Sequence, residues 1–369
     1  MRVLFLHQFD LSLAGGSGAY LRALSSALTE LGHRVEVMSA RRPDPYGWTT
    51  YQLPFDYTLT FGPECRDGER ALDDCTVGEL RALGERAAAA LEDQAFARQR
   101  PDLLMVNHIS VLAGVALTLG QRHGIPHRVI SYGTDTQLLL RESRYCDMYG
   151  PAAAAADRVF AISGFVANQV RATVPNACVE VLGGAVDRAV FRPAAEPGPS
   201  NRIAFVGRLV TEKGIWTLIE AMGRLSVPAQ LDIVGEGPLL PAVRATVERA
   251  AIPIRVNLLG YLPPEQIREV LIRSSLLVVP SIWQEPLGLV ILEAMACGVP
   301  VVASSVGGIP EIVQHEANGL LVEPGDPGAL SHAMNRILLD APLRGRLRAH
   351  CLTRTTVPSY RDLASKSVT

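Results

Sequence analysis

Four charged residues in the second half of the sequence have the types and spacing to do chemistry. Glu285 and Glu293 lie in WQEPLGLVILEAMACG (283–298), a stretch that is otherwise apolar almost all round. A buried carboxylate without a partner costs several kcal/mol, so both acids call for a use. A carboxylate only accepts hydrogen bonds and can take two from a vicinal diol, which sugars and riboses present. Glu293 then suits a ribose and Glu285 the hydroxyls of a second sugar. The alternative for Glu293 is satisfaction by a backbone N–H or an arginine. Arg208 and Lys213 lie in GRLVTEKG (207–214). An arginine at a strand end, a loop lysine and a helix N-terminus can converge on a diphosphate and stabilise charge on a departing phosphate. The alternative is two solvated cations. Lys213 stands out because only it and Lys366 are lysines among 35 basic residues.

A second candidate lies near the start. Gly15-Gly16-Ser17-Gly18 precedes a helical pattern, where free backbone N–H groups and the positive helix end favour an anion. Glycines let a ligand approach the backbone closely. The spacing differs from G-x-G-x-x-G, and a flexible turn is the competing reading.

The elements that must position these residues follow a strand–helix–strand rhythm. VLFLH (3–7), a helix over 20–33 with leucines at 21, 24, 28 and 31, and RVEVMS (34–39) form a βαβ unit. LLMVNH (103–108), HRVIS (127–131) and RVFAIS (158–163) are further strands, residues 77–100 a helix, and 41–75 irregular. After the proline-rich RPAAEPGPS (192–200) the pattern restarts, with strands at 203–208, 231–236, 255–260, 276–281 and 299–305. Helices are expected near 214–225, 238–251, 264–274, 287–297 and 326–340. Pro286 keeps Glu285 in the loop ahead of the 287–297 helix. Eight residues are close to two helical turns, so both glutamates can lie along one side. The fold class is α/β, with two doubly wound parallel-sheet domains facing a cleft. The first domain spans 1–192 and the second 200–354, with 355–369 crossing back to the first. In such sheets ligands sit outside the carboxyl ends of the strands.

Composition excludes several classes. The chain has 369 residues and a net charge of -2, so neither nucleic acid nor an anionic membrane is indicated as the main partner. Six cysteines without a C-x-x-C pair suit a reducing, cytoplasmic compartment and give no zinc pattern. No apolar run reaches the ~20 residues that span a bilayer. A nicotinamide oxidoreductase predicts an acid at the end of the second strand, but RVEVMS ends in Ser39 before Ala40 and two arginines.

GRLVTEKG, VGEGPLL, LLGYLP, EPLGLVILEAMACGVPVVASSVGGIPEIV and NGLLVEPGD together resemble the nucleotide-sugar half of the family 4 retaining glycosyltransferases. The E-x7-E spacing of Glu285 and Glu293 matches that family's signature. The resemblance implies a GT-B fold, two facing Rossmann-like domains with the donor mainly on the second and the acceptor mainly on the first. It implies that Arg208 and Lys213 bind the donor diphosphate, Glu285 sugar hydroxyls and Glu293 the ribose. Backbone N–H groups of Leu287, Gly288 and Leu289 would support phosphate and sugar, and Leu262 the base. Gly15 and Gly16 would admit the phosphate, and His108 matches the family's histidine near the reacting sugar. The chain departs from the family at Tyr132-Gly133-Thr134-Asp135, where His-Gly-x-Asp is common, at Gly183-Gly184-Ala185-Val186-Asp187, and at Leu287, where phenylalanine is common.

No D-x-D is present, so no catalytic metal and no cofactor are expected. The donor is expected to be a UDP-sugar, the frequent case in the family. Residues 41–100 carry eleven acids against eight arginines and no basic amphipathic surface, which favours a small soluble hydroxyl acceptor, a metabolite or natural product. The alternatives are cell-surface glycan or glycolipid assembly, a sucrose-synthase-like enzyme, and a non-catalytic nucleotide-sugar binder.

Overall fold

The apolar runs form parallel strands, buried on both faces, which is why they read as continuous rather than alternating. The computed structural model describes residues 1–8, 16–40, 48–55, 58–61, 69–97, 99–194, 201–249, 255–353 and 358–369. The chain divides into two compact units, Met1–Gly183 with Tyr360–Thr369, and Gly184–Ser359.

In the first unit the strands are β1 (Arg2–Leu6), β2 (Arg34–Ser39), β3 (Thr49–Gln52), β4 (Thr58–Thr60), β5 (Glu69–Ala71), β6 (Leu103–Asn107), β7 (His127–Ser131), β8 (Arg158–Ala161) and β9 (Val179–Val181). Seven form a sheet in the order β3-β2-β1-β6-β7-β8-β9, every neighbour parallel, while β4 and β5 pair separately. Val3 is in register with Val35 on one side and Leu103 on the other. The helices are α1 (Gly16–Glu30), α2 (Val77–Leu91), α3 (Val111–His123), α4 (Thr134–Arg141), α5 (Ser143–Ala154) and α6 (Gly164–Thr173). The amino end of the sheet is locked by a buried ion pair. Arg2 donates to both oxygens of Glu36 at 2.9 and 2.6 Å, and the Tyr51 hydroxyl donates to the same carboxylate at 2.9 Å.

The second unit holds β10 (Arg202–Val206), β11 (Gln230–Val234), β12 (Arg255–Gly260), β13 (Leu276–Val279), β14 (Val301–Ser304) and β15 (Gly319–Val322), in the order β12-β11-β10-β13-β14-β15 and all parallel. Its helices are α7 (Ile215–Met222), α8 (Leu240–Arg249), α9 (Pro264–Ile272), α10 (Leu289–Ala296), α11 (Ile309–Ile312), α12 (Pro327–Leu339) and α13 (Ala341–Thr353). Strand residues alternate between two cores. Ile203, Phe205 and Val278 join α7 and α12 on one face, and Ala204, Leu277 and Val279 join α10 on the other. The final helix, α14 (Tyr360–Val368), belongs to the first unit, where Lys366 donates to Val181 O at 2.6 Å and Arg128 to Ser367 O at 2.6 Å.

Several expectations need correction. Residues 41–75 are not wholly irregular, because β3, β4 and β5 lie within them. The 77–100 helix stops at Leu91 and continues as a π-helical turn over Glu92–Phe96. Expected strands ending at 108, 163, 208, 236 and 281 stop one or two residues earlier, as the chain leaves the sheet for the loops. The units divide at Gly183 and Gly184, ahead of the proline-rich stretch. Gly183 has φ 87, and a Cβ on Gly184 would come within 2.5 Å of Leu287, so both glycines have a local reason.

The strand order reverses between β1 and β6 in the first unit and between β10 and β13 in the second. These are the switch points where a doubly wound sheet opens a crevice at its carboxyl edge.

Candidate functional site

At the second unit's switch point the chain leaves β10, passes the exposed Arg208 and makes a single 3-10 turn at Thr211–Lys213. Gly214 then takes φ 68, and a Cβ there would stand 1.8 Å from Pro280 O. Only glycine lets this loop lie against the segment that follows β13. Ile282 N donates to Glu212 O at 2.9 Å and ties the two loops together.

That juxtaposition sets Lys213 Nζ on Glu285 Oε2 at 2.5 Å, with the lysine side chain a quarter exposed. Ser281 Oγ and Trp283 Nε1 donate to the same oxygen at 3.1 and 3.2 Å, and the Trp283 ring centroid is 5.5 Å from Nζ. All three donors fall on Oε2, and Oε1 accepts from none of the described residues. The Glu285 peptide is clamped as well. Gly308 N donates to its carbonyl at 2.8 Å, and a Cβ on Gly307 would come within 2.1 Å of that oxygen. Ser281 and Trp283 were not singled out from the sequence. The available signal was polar and aromatic residues, SIWQE, directly after an apolar strand.

Glu285 does not ride on the helix. Gly288 takes φ 83 and α10 begins only at Leu289, so Glu293 is the fifth helical residue and the two-turn spacing does not relate the acids. The Glu293 carboxylate is partly exposed and has no hydrogen bond or ion pair among the described residues; burial pushes it up to about 7. Leu287, Gly288 and Leu289 donate to no backbone carbonyl among the described residues, as the first turn of a helix requires. Leu262 lies two residues past β12, beyond Gly260 at φ 67. Lys213 and Glu285 are thus brought into contact, while Arg208, Leu262 and Glu293 lie elsewhere in the same unit.

In the first unit, Gly16 opens α1 and a Cβ there would meet nothing within 4 Å; Gly15 lies outside the described residues. His108 follows β6 with φ 75, a left-handed conformation costing of order 1–3 kcal/mol that recurs at functional sites. Its ring lies 4.8 Å from Phe61 and 4.8 Å from Tyr132, centroid to centroid. Its Nδ1 is 4.0 Å from Asp135, which accepts from Ile109 N at 2.8 Å, Ser131 Oγ at 3.0 Å and Gly133 N at 2.9 Å. Burial pushes His108 down to about 3, so the imidazole is neutral at physiological pH. Burial also raises Asp135, against those three hydrogen bonds.

Three of the acids within 69–93 have structural partners. Glu79 forms a capping box with Thr76 and pairs with Arg70, Asp73 pairs with Arg141, and Glu92 bonds His123 at 2.7 Å.

Residues 15–185 match the family described as glycosyl transferase 4-like domain, and residues 187–350 match glycosyl transferases group 1. The chain is 37% identical over 223 residues to the alpha-maltose-1-phosphate synthase of Mycolicibacterium smegmatis, covering 53% of this chain and 57% of that one. That match spans little more than half of the relative's length. It is 30% identical over 348 residues to the D-inositol 3-phosphate glycosyltransferase of Segniliparus rotundus, covering 85% of this chain and 74% of the relative. Two solved structures share the fold. Sucrose-phosphate synthase from Thermosynechococcus elongatus has TM-score 0.80 at 24% identity, covering 100% and 98% of the two chains. The HepE protein of Anabaena in complex with UDP-glucose has TM-score 0.76 at 18% identity, with the same coverage. The chain therefore belongs to the group 1, family 4 glycosyltransferases, and its two parallel-sheet units are those of a GT-B fold.

Proposed function

We propose that the protein moves a hexosyl group from a UDP-sugar to a hydroxyl of a small soluble acceptor, with retention at the anomeric carbon and without a metal. The observation that carries this reading is the loop pair holding Lys213 on Glu285 Oε2 while Oε1 stays open. An ammonium has three protons to donate and Glu285 takes one, so Lys213 can still serve a phosphate. Glu285 Oε1 is left for sugar hydroxyls, and the Glu293 carboxylate for the ribose diol. HepE of Anabaena, which shares the fold, binds UDP-glucose.

In the proposed reaction the bond between the anomeric carbon and the diphosphate oxygen breaks, and its electron pair goes to that oxygen. Lys213, Arg208 and the N–H groups of Leu287, Gly288 and Leu289 meet the developing charge. The acceptor oxygen attacks from the leaving group's own face and passes its proton to the departing phosphate. Leu262 supports the base through its backbone, and Gly16 leaves room for phosphate. His108, neutral, contributes a hydrogen bond to the reacting sugar rather than a charge. Glu285 binds hydroxyls and forms no covalent intermediate.

Thermal-shift measurements with UDP, GDP, ADP and NAD test the donor assignment. UDP should stabilise the wild type and do so less in Lys213→Ala; stabilisation by NAD alone overturns the reading. A UDP-sugar and acceptor panel read by mass spectrometry, with the product anomer assigned by NMR, tests the reaction. An α-linked donor giving a β-linked product rules out retention. A sugar trapped covalently on the Glu285→Gln variant rules out the same-face route. Nucleotide binding with neither hydrolysis nor transfer favours a non-catalytic binder.

A further inference from the structure

Trp283 stands against both members of the Lys213–Glu285 pair. Its indole N–H donates to Glu285 Oε2 at 3.2 Å, and its ring centroid lies 5.5 Å from Lys213 Nζ. That is inside the ~6 Å at which an aromatic face attracts a cation. The loop after β13 makes this arrangement locally. Glu285 N donates to Trp283 O at 2.8 Å, which closes a three-residue turn at Gln284 and folds Trp283 back toward Glu285. The turn is tied down on either side of Trp283. Ile282 N donates to Glu212 O at 2.9 Å, and Gln284 Oε1 accepts from Gly307 N at 3.0 Å.

Packing alone does not call for an indole here. The ring is part-exposed, and a part-exposed indole can give its N–H to water. This one gives it to an oxygen that already accepts from Lys213 and the buried Ser281. Three donors on Oε2, and none among the described residues on Oε1, fix the orientation of the carboxylate. The three are not equivalent. Lys213 is the cation that the proposed reaction needs at the diphosphate. As phosphate oxygens draw it, Oε2 loses its charged donor, and Ser281 and Trp283 still hold the carboxylate. The indole face meanwhile gives the ammonium a second favourable neighbour.

We propose that Trp283 is a positioning residue with two separable parts: its N–H aims Glu285 at the donor sugar, and its ring steadies Lys213 for the donor diphosphate. The proposal rests on the glycosyltransferase reading above. It adds how the two charged groups stay in place while both are in use.

The test uses the full chain and reads dissociation constants by titration calorimetry, with melting temperature alongside. The probes are UDP and whichever of UDP-glucose, UDP-galactose and UDP-N-acetylglucosamine the wild type binds most tightly. Trp283→Phe keeps an aromatic face and removes the N–H. It should weaken the UDP-sugar about tenfold, one hydrogen bond to a charged group, and leave UDP unchanged, since UDP has no sugar to place. Trp283→Leu removes both parts, so it should repeat that loss and also weaken UDP about fivefold, one cation–π contact. If the leucine variant fails to fold, Trp283→Met, bulky but without a π face, takes its place. A residue that only packs would move both ligands together and in step with melting temperature. Equal weakening of UDP and the UDP-sugar by Trp283→Phe, or of neither, therefore overturns the proposal. So does equal UDP affinity in the phenylalanine and leucine variants. In a Glu285→Ala background Trp283→Phe should cost the UDP-sugar nothing more, because the N–H acts through that carboxylate. A full further loss there overturns the route through Glu285. UDP bound by wild type with no response to Trp283→Phe sinks this proposal alone. A wild type that binds no UDP takes the donor reading down with it.

Discussion

The two switch points share one topology and differ in chemistry. In the second unit, β10 and β13 end in loops that carry Arg208, Lys213 and Glu285, with Lys213 and Glu285 in direct contact. In the first, β1, β6 and β7 end in Gln8, Asn107, His108 and Tyr132, buried and uncharged at neutral pH. A doubly wound sheet makes a crevice at such a place whatever the side chains are. The side chains then decide what the crevice takes. Cations and an anchored carboxylate suit a group whose charge grows during reaction. Neutral donors and acceptors suit hydroxyls, whose charge does not. Removing charge from the second unit should therefore act on rate, while disturbing the first should act on stability and acceptor recognition.

The largest break in this comparison comes from Lys213. Lys213→Ala should lower kcat by about 10²–10³, the usual loss for one charge-stabilising donor. Its melting temperature should change little, because Ser281 and Trp283 still hold Glu285 Oε2. Gly214→Ala probes the same device through the backbone, because its Cβ would collide with Pro280 O and lift the lysine loop off the strand end. It should lose both turnover and stability. Wild-type kcat in Lys213→Ala, measured as UDP release, would remove the lysine from the chemistry.

Much of the second unit was legible from residue types. Rigid loops between buried strands leave charged residues few places to go, so GRLVTEKG and E-x7-E pointed to their location. What stayed hidden was mutual geometry. Lys213 rests on Glu285, not apart from it, because Gly214 lets one loop lie on another, a contact 72 residues apart in sequence. The helix start at Leu289 was hidden too, since a positive φ at Gly288 leaves no periodicity to read. In the first unit the strands were readable, but β3, β4 and β5 were not. They are three or four residues long, and short strands among polar residues carry little pattern. Neutral polar residues at strand ends gave no signal at all. Gln8 and Asn107 look like any strand terminus until burial shows the Gln8 amide and the Asn107 carbonyl oxygen without a partner among the described residues.

A smaller effect separates the units by pH. His108 falls to about 3 in the folded protein from a model-peptide value near 6.5. Between those values the unfolded chain binds more protons, so this group's contribution to stability rises with pH and is lost toward acid. At pH 5 the penalty is about 2 kcal/mol by linkage. His108→Asn keeps a polar side chain that tolerates positive φ and removes the titration. Relative to wild type it should gain stability at pH 5 and not at pH 8, as read by denaturant midpoints. An equal shift at both pH values would mean that the imidazole titrates normally and is not buried as described.

Glu293 should behave in the opposite sense, and more weakly because its carboxylate is partly exposed. Its folded value of about 7 lies above the ordinary carboxylate value, so between them the native state holds the extra proton. Stability from this group is therefore full below about 4.5 and declines as pH rises through 7. Glu293→Gln keeps the shape and removes the charge, so it should stabilise the ligand-free protein at pH 8 and leave it unchanged at pH 4.5. The same variant should bind UDP more weakly at pH 8, because an amide carbonyl is a poorer acceptor for a ribose diol than a carboxylate. The two readouts must move in opposite directions. A carboxylate held for a ligand costs stability when empty and adds affinity when filled, whereas one with a structural partner would lose on both counts.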